Sequence, residues 1–596
     1  MRYSPNRKLG VLLFFAALTL VIAVACGSSA TSTPASAPTS AATTSVPQAT
    51  VAATAVPTTA PSGAAPTGTL NIGFKELFSF GNSPRLGESA IIVFVGNTSG
   101  ETLLKLNIDK EIIPQMVTEW TLDDAGTVWT LKLQEGIQFH KGYGEMTAED
   151  VKFTMEEYAS PEGIGSLQGV MERLYAQPGG GVSVIDDYTL EVDTVTPQFD
   201  FQYFMIVPEV VSTISKKLFE EQGDAAADKL GIGTGPWEFV EQSTREFWKF
   251  QAVEDHYRKV PEFAELVLWD IPEEATRVAN FETGKLDSFL MAFDSKPRLD
   301  TLPDIRYMSV PNGSTAHIGL HPNHYVGMGE ADFEERRPGA FNCLANDECP
   351  WVSPNPDVNS PEWERARKVR EALLISVNRQ EVVDTLLGGE GSPQSLWAWE
   401  NRQRELLPAY RSWEFNPDRA QELLAEAGYS DGFDIEITAS IRGVAAEAES
   451  CEAVAEYWED IGLNTNINRV PYLSIGPRLQ AREYVGLSCH GTGGRVDPAT
   501  IYDIVYSSES GFSAGFDHPT FQGLMEEMFT IADDAGHWAI MNELAAFMYD
   551  NALDSGFYSV NVLWPLGPKV NSWRDHLQQG DTRSLGSYEY ATHRDQ

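Results

Sequence analysis

Residues Gly27 to Gly68 contain no charged and no aromatic residue, only Ala, Ser, Thr, Pro, Val, Gln and Gly. Such a stretch cannot bury enough apolar surface to offset the entropy of ordering it, so residues 26–68 are expected to form an extended, disordered tether. As a coil it reaches roughly 35–40 Å root mean square. Everything able to build a core therefore lies before it, in a short N-terminal segment, or after it. Of the 596 residues, about 530 follow the tether, far beyond the size at which a single hydrophobic core stops growing. Two or three lobes are expected.

The N-terminal segment reads as an export signal. Arg2, Arg7 and Lys8 precede an apolar run from Val11 to Ala25. A charged start, a short apolar segment and small residues before a cleavage point make residues 1–25 a secretory signal. The run is short of the roughly 20 residues a helix needs to cross a bilayer. Ala23-Val24-Ala25-Cys26-Gly27 resembles the lipobox of bacterial lipoproteins, whose cysteine is acylated and becomes the new N-terminus. Ala23 stands where the lipobox usually has Leu. The expectation is a lipid anchor on Cys26 and a globular body leashed to the outer face of the cell membrane, or in a periplasm.

The chain carries 43 Lys and Arg against 85 Asp and Glu, a formal net charge of −42. Binding nucleic acid needs clustered basic residues, so that partner is not expected. The same charge repels an anionic leaflet, which leaves the lipid as the only membrane contact. If Cys26 is acylated, Cys343, Cys349, Cys451 and Cys489 remain, with three possible pairings in an oxidising compartment. Cys343 and Cys349 flank a short polar loop that a disulfide closes easily; Cys451–Cys489 is the complementary pair. The tight C-x-x-C spacing of a four-cysteine zinc site is absent.

From Thr69 the chain alternates strand-like and helix-like segments. Thr69 to Phe74 alternates like a strand, and Trp129 to Leu133 puts Trp129, Leu131 and Leu133 on one face. Thr147 is placed to cap a helix with Asp150 in its first turn and Val151, Met155 and Tyr158 on its buried stripe. Pro272 opens another helix, with Val278, Ala279 and Phe281 following and Gly284 in the stop position. Asn416-Pro417-Asp418 opens a third, whose Leu423, Leu424 and Ala427 face inward and which Gly428 closes. Glu447 to Ile461 is a fourth, ended by Gly462, and Phe433 to Thr438 is a strand. The organisation is α/β.

Two patterns resemble chemistry. Gly428-Tyr429-Ser430-Asp431-Gly432 fits G-x-S-x-G, but a nucleophile elbow needs strand, turn, then helix, and here a helix precedes and a strand follows. The glycines read as a helix stop and a turn, and no catalytic residue is expected. His317, His321 and His324 form a cluster that imidazole chemistry would allow to bind a metal. Pro322 and Asn323 argue against a shared helix face, and a solvated or loop-packed cluster is the alternative; no metal or cofactor is assigned.

Four segments in register resemble one family. The first runs Glu111-Ile-Ile-Pro-Gln-Met-Val-Thr-Glu-Trp120, then Trp129 to His140 and Thr147 to Phe153. The second is Gly233-Thr-Gly-Pro-Trp-Glu-Phe239, continuing to Asp270–Arg277 and Gly284–Asp287. The third is Arg367-Lys-Val-Arg-Glu-Ala-Leu373 through Val377-Asn-Arg379 to Gly389, and the fourth Asn416 to Tyr429 with Asp431-Gly-Phe433. Together they resemble the family 5 extracellular solute-binding proteins of bacterial ABC importers. The resemblance implies a two-lobed, hinged periplasmic-binding-protein-like fold (cluster C type) with an extra domain on the N-terminal lobe. Residues 69–95, 228–315 and 555–596 would form lobe I, 96–227 the extra domain and 316–554 lobe II. It implies a monomeric receptor, not an enzyme, that closes over a small solute and delivers it to a permease with its ATPase. A sensory binding protein and, further off, a hydrolase on this scaffold are the alternatives. Gly233, Gly235 and Pro236 look like scaffold.

One departure bears on the ligand. Peptide receptors of the family carry an aspartate shortly before an Asp-Pro pair, and it holds the peptide's free amino group. Counting back from Asp497-Pro498, that aspartate falls on Gly494, with Arg495 beside it. A buried ammonium without a carboxylate is costly, so binding through a free N-terminus is not expected. His490 and Arg495 suit an acidic or oxygen-rich solute instead, unless Arg495 simply pairs with Asp497. Trp397 and Trp399 either stack on a planar ligand or belong to the core, and Arg442 follows a strand into reach of the cleft. The candidate ligand set is Trp397, Trp399, Arg442, His490, Gly494, Arg495 and Asp497.

Overall fold

The computed structural model describes residues 65–594, except 78–79, 84, 86–94, 96–97, 108–110, 164, 166, 208–209, 211, 321–348, 442–445, 472–473, 476–486, 495, 507–517, 532–533, 554, 574–575 and 578–586. Cys26, His321, His324, Cys343, Arg442 and Arg495 therefore lie outside the described residues. Thr67 N donates to Glu262 O at 2.9 Å and Ala264 N to Gly68 O at 3.0 Å, so main-chain pairing begins two residues before the first strand.

That strand, Thr69–Phe74, lies inside a five-stranded sheet. Glu265–Asp270 and Ser288–Phe289 run parallel to it on either side, and Phe247–Ala252 and Trp237–Ser243 add an antiparallel edge. The helix Glu274–Glu282 carries the chain across, starting two residues after Pro272. It buries Arg277, Val278 and Phe281 and leaves Ala279 exposed, because the four-residue step from Arg277 to Phe281 sets the inward stripe. Gly284 ends it at φ +71°.

A second sheet is antiparallel, in the order Val117–Leu122, Val128–Leu133, Thr189–Asp193, Gly181–Asp186. Trp129, Leu131 and Leu133 are buried together on it. The helix Ala148–Tyr158 packs above, opened by a reciprocal cap in which Thr147 N donates to Asp150 Oδ2 at 3.0 Å.

The third sheet has six strands in the order Gly391–Pro393, Ser555–Leu566, Arg306–Gly319, Leu487–Gly493, Asp434–Ile441, Asn464–Pro471. One face is apolar and is covered by the helices Pro361–Ile375, Arg379–Leu386, Pro417–Glu426 and Glu447–Asp460. Two arginines of the first two helices are buried and, among the described residues, have no carboxylate partner. Arg370 donates to Asn551 O and Trp351 O, and Arg379 to Leu374 O, Gly556 O and Ser555 Oγ. Burial pushes both guanidiniums down to about 9. They tie the helices to the start of strand Ser555–Leu566.

Two strands run through two cores. Arg306–Gly319 and Ser555–Leu566 pair antiparallel from Arg306↔Leu566 to Ile318↔Ser555. At one end Val310, Val562, Trp564 and Leu566 pack with Leu70, Ile72 and Trp237. At the other Ala316, Ile318, Phe557 and Val560 pack with Leu373, Leu423 and Trp458. Between the cores the register slips: Val310 pairs with Val562 and Ser314 with Val560, so residues 311–313 face Asn561 alone. Asn312 sits there at φ +48°, held by Nδ2 donating to Glu400 O at 2.9 Å and by Ser559 Oγ donating to its Oδ1 at 2.9 Å.

The loops that flank the strands of the five-stranded sheet meet the segment from Glu101 to Lys105 at a buried ionic junction. Glu101 Oε1 accepts from Arg258 Nη2 at 2.8 Å, and its Oε2 from Tyr257 OH at 3.0 Å and Thr234 Oγ1 at 3.1 Å. Arg258 Nη1 also donates to Glu589 Oε1 at 2.7 Å, with Lys105 Nζ 3.7 Å from the same oxygen. Gly233 and Gly235 make the approach possible: a Cβ on either would lie 2.0 Å from Ser99 O or 2.3 Å from Thr98 O. These glycines serve main-chain packing.

Candidate functional site

Across Arg306–Gly319, Leu487–Gly493 and Asp434–Ile441, the face of the six-stranded sheet opposite its apolar core is polar and still largely buried. Strand alternation explains it. Ile435, Ile437 and Ala439, Leu487 and Cys489, and Ala316 and Ile318 point into the core. The intervening Thr438 and Ser440, Ser488, His490 and Thr492, and Thr315 and His317 point the other way, and none is more than 7 % exposed. His317 and His490 are directly opposite in the ladder, as are Thr315 and Thr492. Ala439 pairs with Cys489, so Ser440 stands level with His490.

The histidines and Trp397 form one aromatic group. The His317 and His490 rings meet edge to face at 4.1 Å, and the Trp397 indole stacks on His317 at 3.8 Å with 12° between planes. Tyr506 meets Trp397 edge-on at 6.4 Å. Trp397 Nε1 and Ser440 Oγ are buried without a hydrogen-bond partner. Leaving a buried donor unpaired costs about 1–3 kcal/mol, and a ligand in contact with this face could supply these bonds. The helix Glu447–Asp460 is fixed beneath: Gly491 N donates to Glu447 Oε1 at 2.8 Å, and Cys451 is bonded to Cys489. Cys349 is also disulfide-bonded.

The other sequence candidates divide. Trp399 is fully buried and its Nε1 donates to Tyr502 OH at 2.8 Å, so it is core. Asp497 caps the turn Pro498–Ile501 through Ala499 N at 2.8 Å and lies 3.0 Å from His537 Nε2; both its bonds are structural. Gly494 abuts the strand slip. Its N donates to Gly313 O at 3.0 Å, and a Cβ would lie 2.2 Å from Asn312 O. No aspartate fits there without displacing the main chain. Ser430 sits between a helix and a strand, flanked by Gly428 at φ +94° and Gly432 at φ +72°, as the turn reading requires. Sequence reasoning grouped His317 with His321 and His324; the ladder pairs it instead with His490. Ser440, Thr438 and Glu447 were missed, although the polar-apolar alternation in Asp434–Ile441 and Leu487–Gly493 was visible. Among the described residues, no three His, Cys, Asp or Glu side chains assemble into a group able to hold a metal ion.

The model of the bacterial extracellular solute-binding proteins, family 5 (middle), matches residues 111–513. The chain belongs to this family. Among curated family 5 relatives, heme-binding protein A of Haemophilus influenzae is 22% identical over 491 residues, covering 78% of this chain and 82% of that protein. The nickel-binding periplasmic protein of Escherichia coli is 22% identical over 473 residues, covering 76% and 82%. The dipeptide-binding protein of Pseudoalteromonas sp. SM9913, solved with Met-Leu, superposes with a TM-score of 0.70 at 18% identity, covering 88% of this chain and all (100%) of that one. The fold is the two-lobed α/β fold of these family 5 binding proteins.

Proposed function

We propose that this chain is an extracytoplasmic receptor that captures a polar, oxygen-rich solute by hinge closure and presents it to the permease of an ABC importer. The observation that carries this reading is the buried polar face under Trp397, where His317, His490 and Ser440 lie side by side on a sheet otherwise built as core. In this reading residues 69–95, 228–310 and 562–596 act as lobe I, 96–227 as its extra domain and 314–560 as lobe II; the boundaries expected at 315 and 555 move to the strand slip because Phe557 and Val560 pack in the second core. The strand slip opposite Asn561 is the hinge, since of the two register shifts in this strand pair it is the one that lies between the two cores. A lipid on Cys26 and the tether of residues 26–68 keep the body beside the transporter and raise its local concentration there. Solute must stabilise the closed form over the open one, or the permease receives no signal.

Gly494 supports a cargo other than peptides held by a free amino group, because the close approach to Asn312 excludes a carboxylate from that position. Native mass spectrometry of the full chain tests the reading. A co-purifying small molecule is expected, and His490→Ala or Trp397→Ala should lose it while the protein stays folded. Tight calorimetric binding of free di- and tripeptides would refute the cargo assignment. A chain that retains nothing, and whose scattering profile no solute changes, would refute the receptor assignment.

A further inference from the structure

A second buried polar cluster joins the segment that carries the antiparallel sheet to residues 497–537. Arg173, on the helix Gln168–Tyr175, donates to Asp503 at 2.5 Å and lies over the Phe529 ring at 5.6 Å. Beside it Asp200 is only 2 % exposed. Asp200 stands at the N-cap of Phe201–Phe204 yet makes no side-chain cap. Its Oδ1 accepts from Gln198 Nε2, and its Oδ2 is buried without a partner. Facing it are Asp503 on the turn Tyr502–Tyr506, Asp497 at the start of Pro498–Ile501, and His537 on the helix Asp534–Asp550. Phe199 packs on the His537 ring at 6.1 Å. The basic side chains are already engaged, Arg173 with Asp503 and the His537 ring with Asp497 at 3.0 Å. Three buried carboxylates thus share one arginine and one histidine, and Asp200 makes no ion pair among the described residues.

We propose that lobe closure is proton-linked through Asp200: bringing the Arg173–Asp503 latch together buries Asp200 against Asp503 and Asp497, and the closed form takes up a proton there. The proposal rests on the hinge reading above, in which residues 96–227 and 314–560 move apart on opening. In the open form Asp200 faces water and titrates in the ordinary carboxylate range. In the closed form burial, then repulsion from Asp503, pushes it up to about 7. The sign follows. Its contribution to closure is complete below the ordinary range, near 4, and is lost as pH rises through about 7. Across that window the closed-to-open ratio falls by up to tenfold per pH unit, on the order of a thousandfold in all.

The test measures closure without any solute. Nitroxide labels on Ile185→Cys and Phe415→Cys, both exposed and one in each half, report their separation in the full chain carrying Cys26→Ser. The otherwise unaltered protein should show a short separation at pH 5 that gives way to a longer one at pH 8.5. Asp200→Asn, which keeps the shape without the charge, should stay short at both pH values, and Arg173→Met should shift to the longer separation. Circular dichroism establishes that each variant is folded; Asp200→Ser replaces Asp200→Asn if that variant is not. A separation independent of pH while Arg173→Met still lengthens it overturns the proton linkage and leaves the hinge standing. Unchanged pH dependence in Asp200→Asn overturns it too, assigning the titration to another group such as His537. One fixed separation in every variant overturns the hinge reading itself.

Discussion

Replacing Glu101 by Gln removes one charge from the buried ionic junction with Arg258 while keeping its shape. In the native protein its contacts with the His256 ring and the Arg258 guanidinium hold the Glu101 carboxyl down at about 2 against the cost of burial, where the ordinary value is 4.5. At about 1.4 kcal/mol per pH unit, this difference is worth about 3 kcal/mol near neutrality. That lies at the low end of the roughly 3–5 kcal/mol lost when a buried ion pair is broken. The low end is expected, because Arg258 keeps Glu589 at 2.7 Å. If the roughly 530-residue body unfolds as one, about 3 kcal/mol corresponds to a melting-point drop of about 3 °C; if a unit of roughly 130 residues unfolds alone, about 10 °C. The carboxyl is depressed, so its contribution is present above the ordinary value and lost as pH falls toward 2. The deficit of Glu101→Gln in thermal and guanidinium unfolding should therefore narrow by about 2 kcal/mol between pH 7 and pH 3. A drop below about 1 °C at pH 7, or a deficit constant down to pH 3, would refute the assignment of this junction to charge pairing.

Three further outcomes are expected. The Cys451–Cys489 bond spans 38 residues, so Cys451→Ala with Cys489→Ala should cost about 4 kcal/mol in guanidinium unfolding, and reductant, which also breaks the Cys349 bond, should cost the unaltered protein more. Gly233→Ala places a methyl 2.0 Å from Ser99 O and should destabilise by about 3 kcal/mol or more, read as a lowered denaturation midpoint. Trp397→Ala removes the ring stacked on His317 and should lose about 3 kcal/mol of stability together with the co-purifying solute, whereas Trp399→Ala should lose stability but retain the solute where it still folds.

Local elements were legible because their signals are local. Thr147 with Asp150, and Asn416 before Pro417, announce helix starts in a handful of residues, and Gly428 and Gly462 announce their ends. Four dispersed segments sufficed for the family because scaffold side chains such as Arg370 and Arg379 satisfy main-chain groups that the fold itself presents. The site was harder. His317 meets His490 across 173 positions of sequence, and nothing near either residue states that Arg306–Gly319 and Leu487–Gly493 pair in that register. Trp397 and Trp399 are two residues apart, so an extended chain turns them to the same side; Ala398, at φ +68°, breaks that rule and sends one to the histidines and the other to the core. Asp200, Asp503 and His537 are meaningless separately, since only the packing of distant helices makes them one cluster.

The slip at Asn312 lies five residues from His317 along one strand, and Gly494, which abuts it, lies four from His490 along the next. One histidine-bearing strand thus runs through the slip and the other stops beside it. At about 3.3 Å per residue His317 stands roughly 17 Å from it, so a displacement of about 1 Å there turns the strand through about 3°. On the proposed hinge reading, the outer rims, on longer lever arms, would travel further than the cargo that moves them.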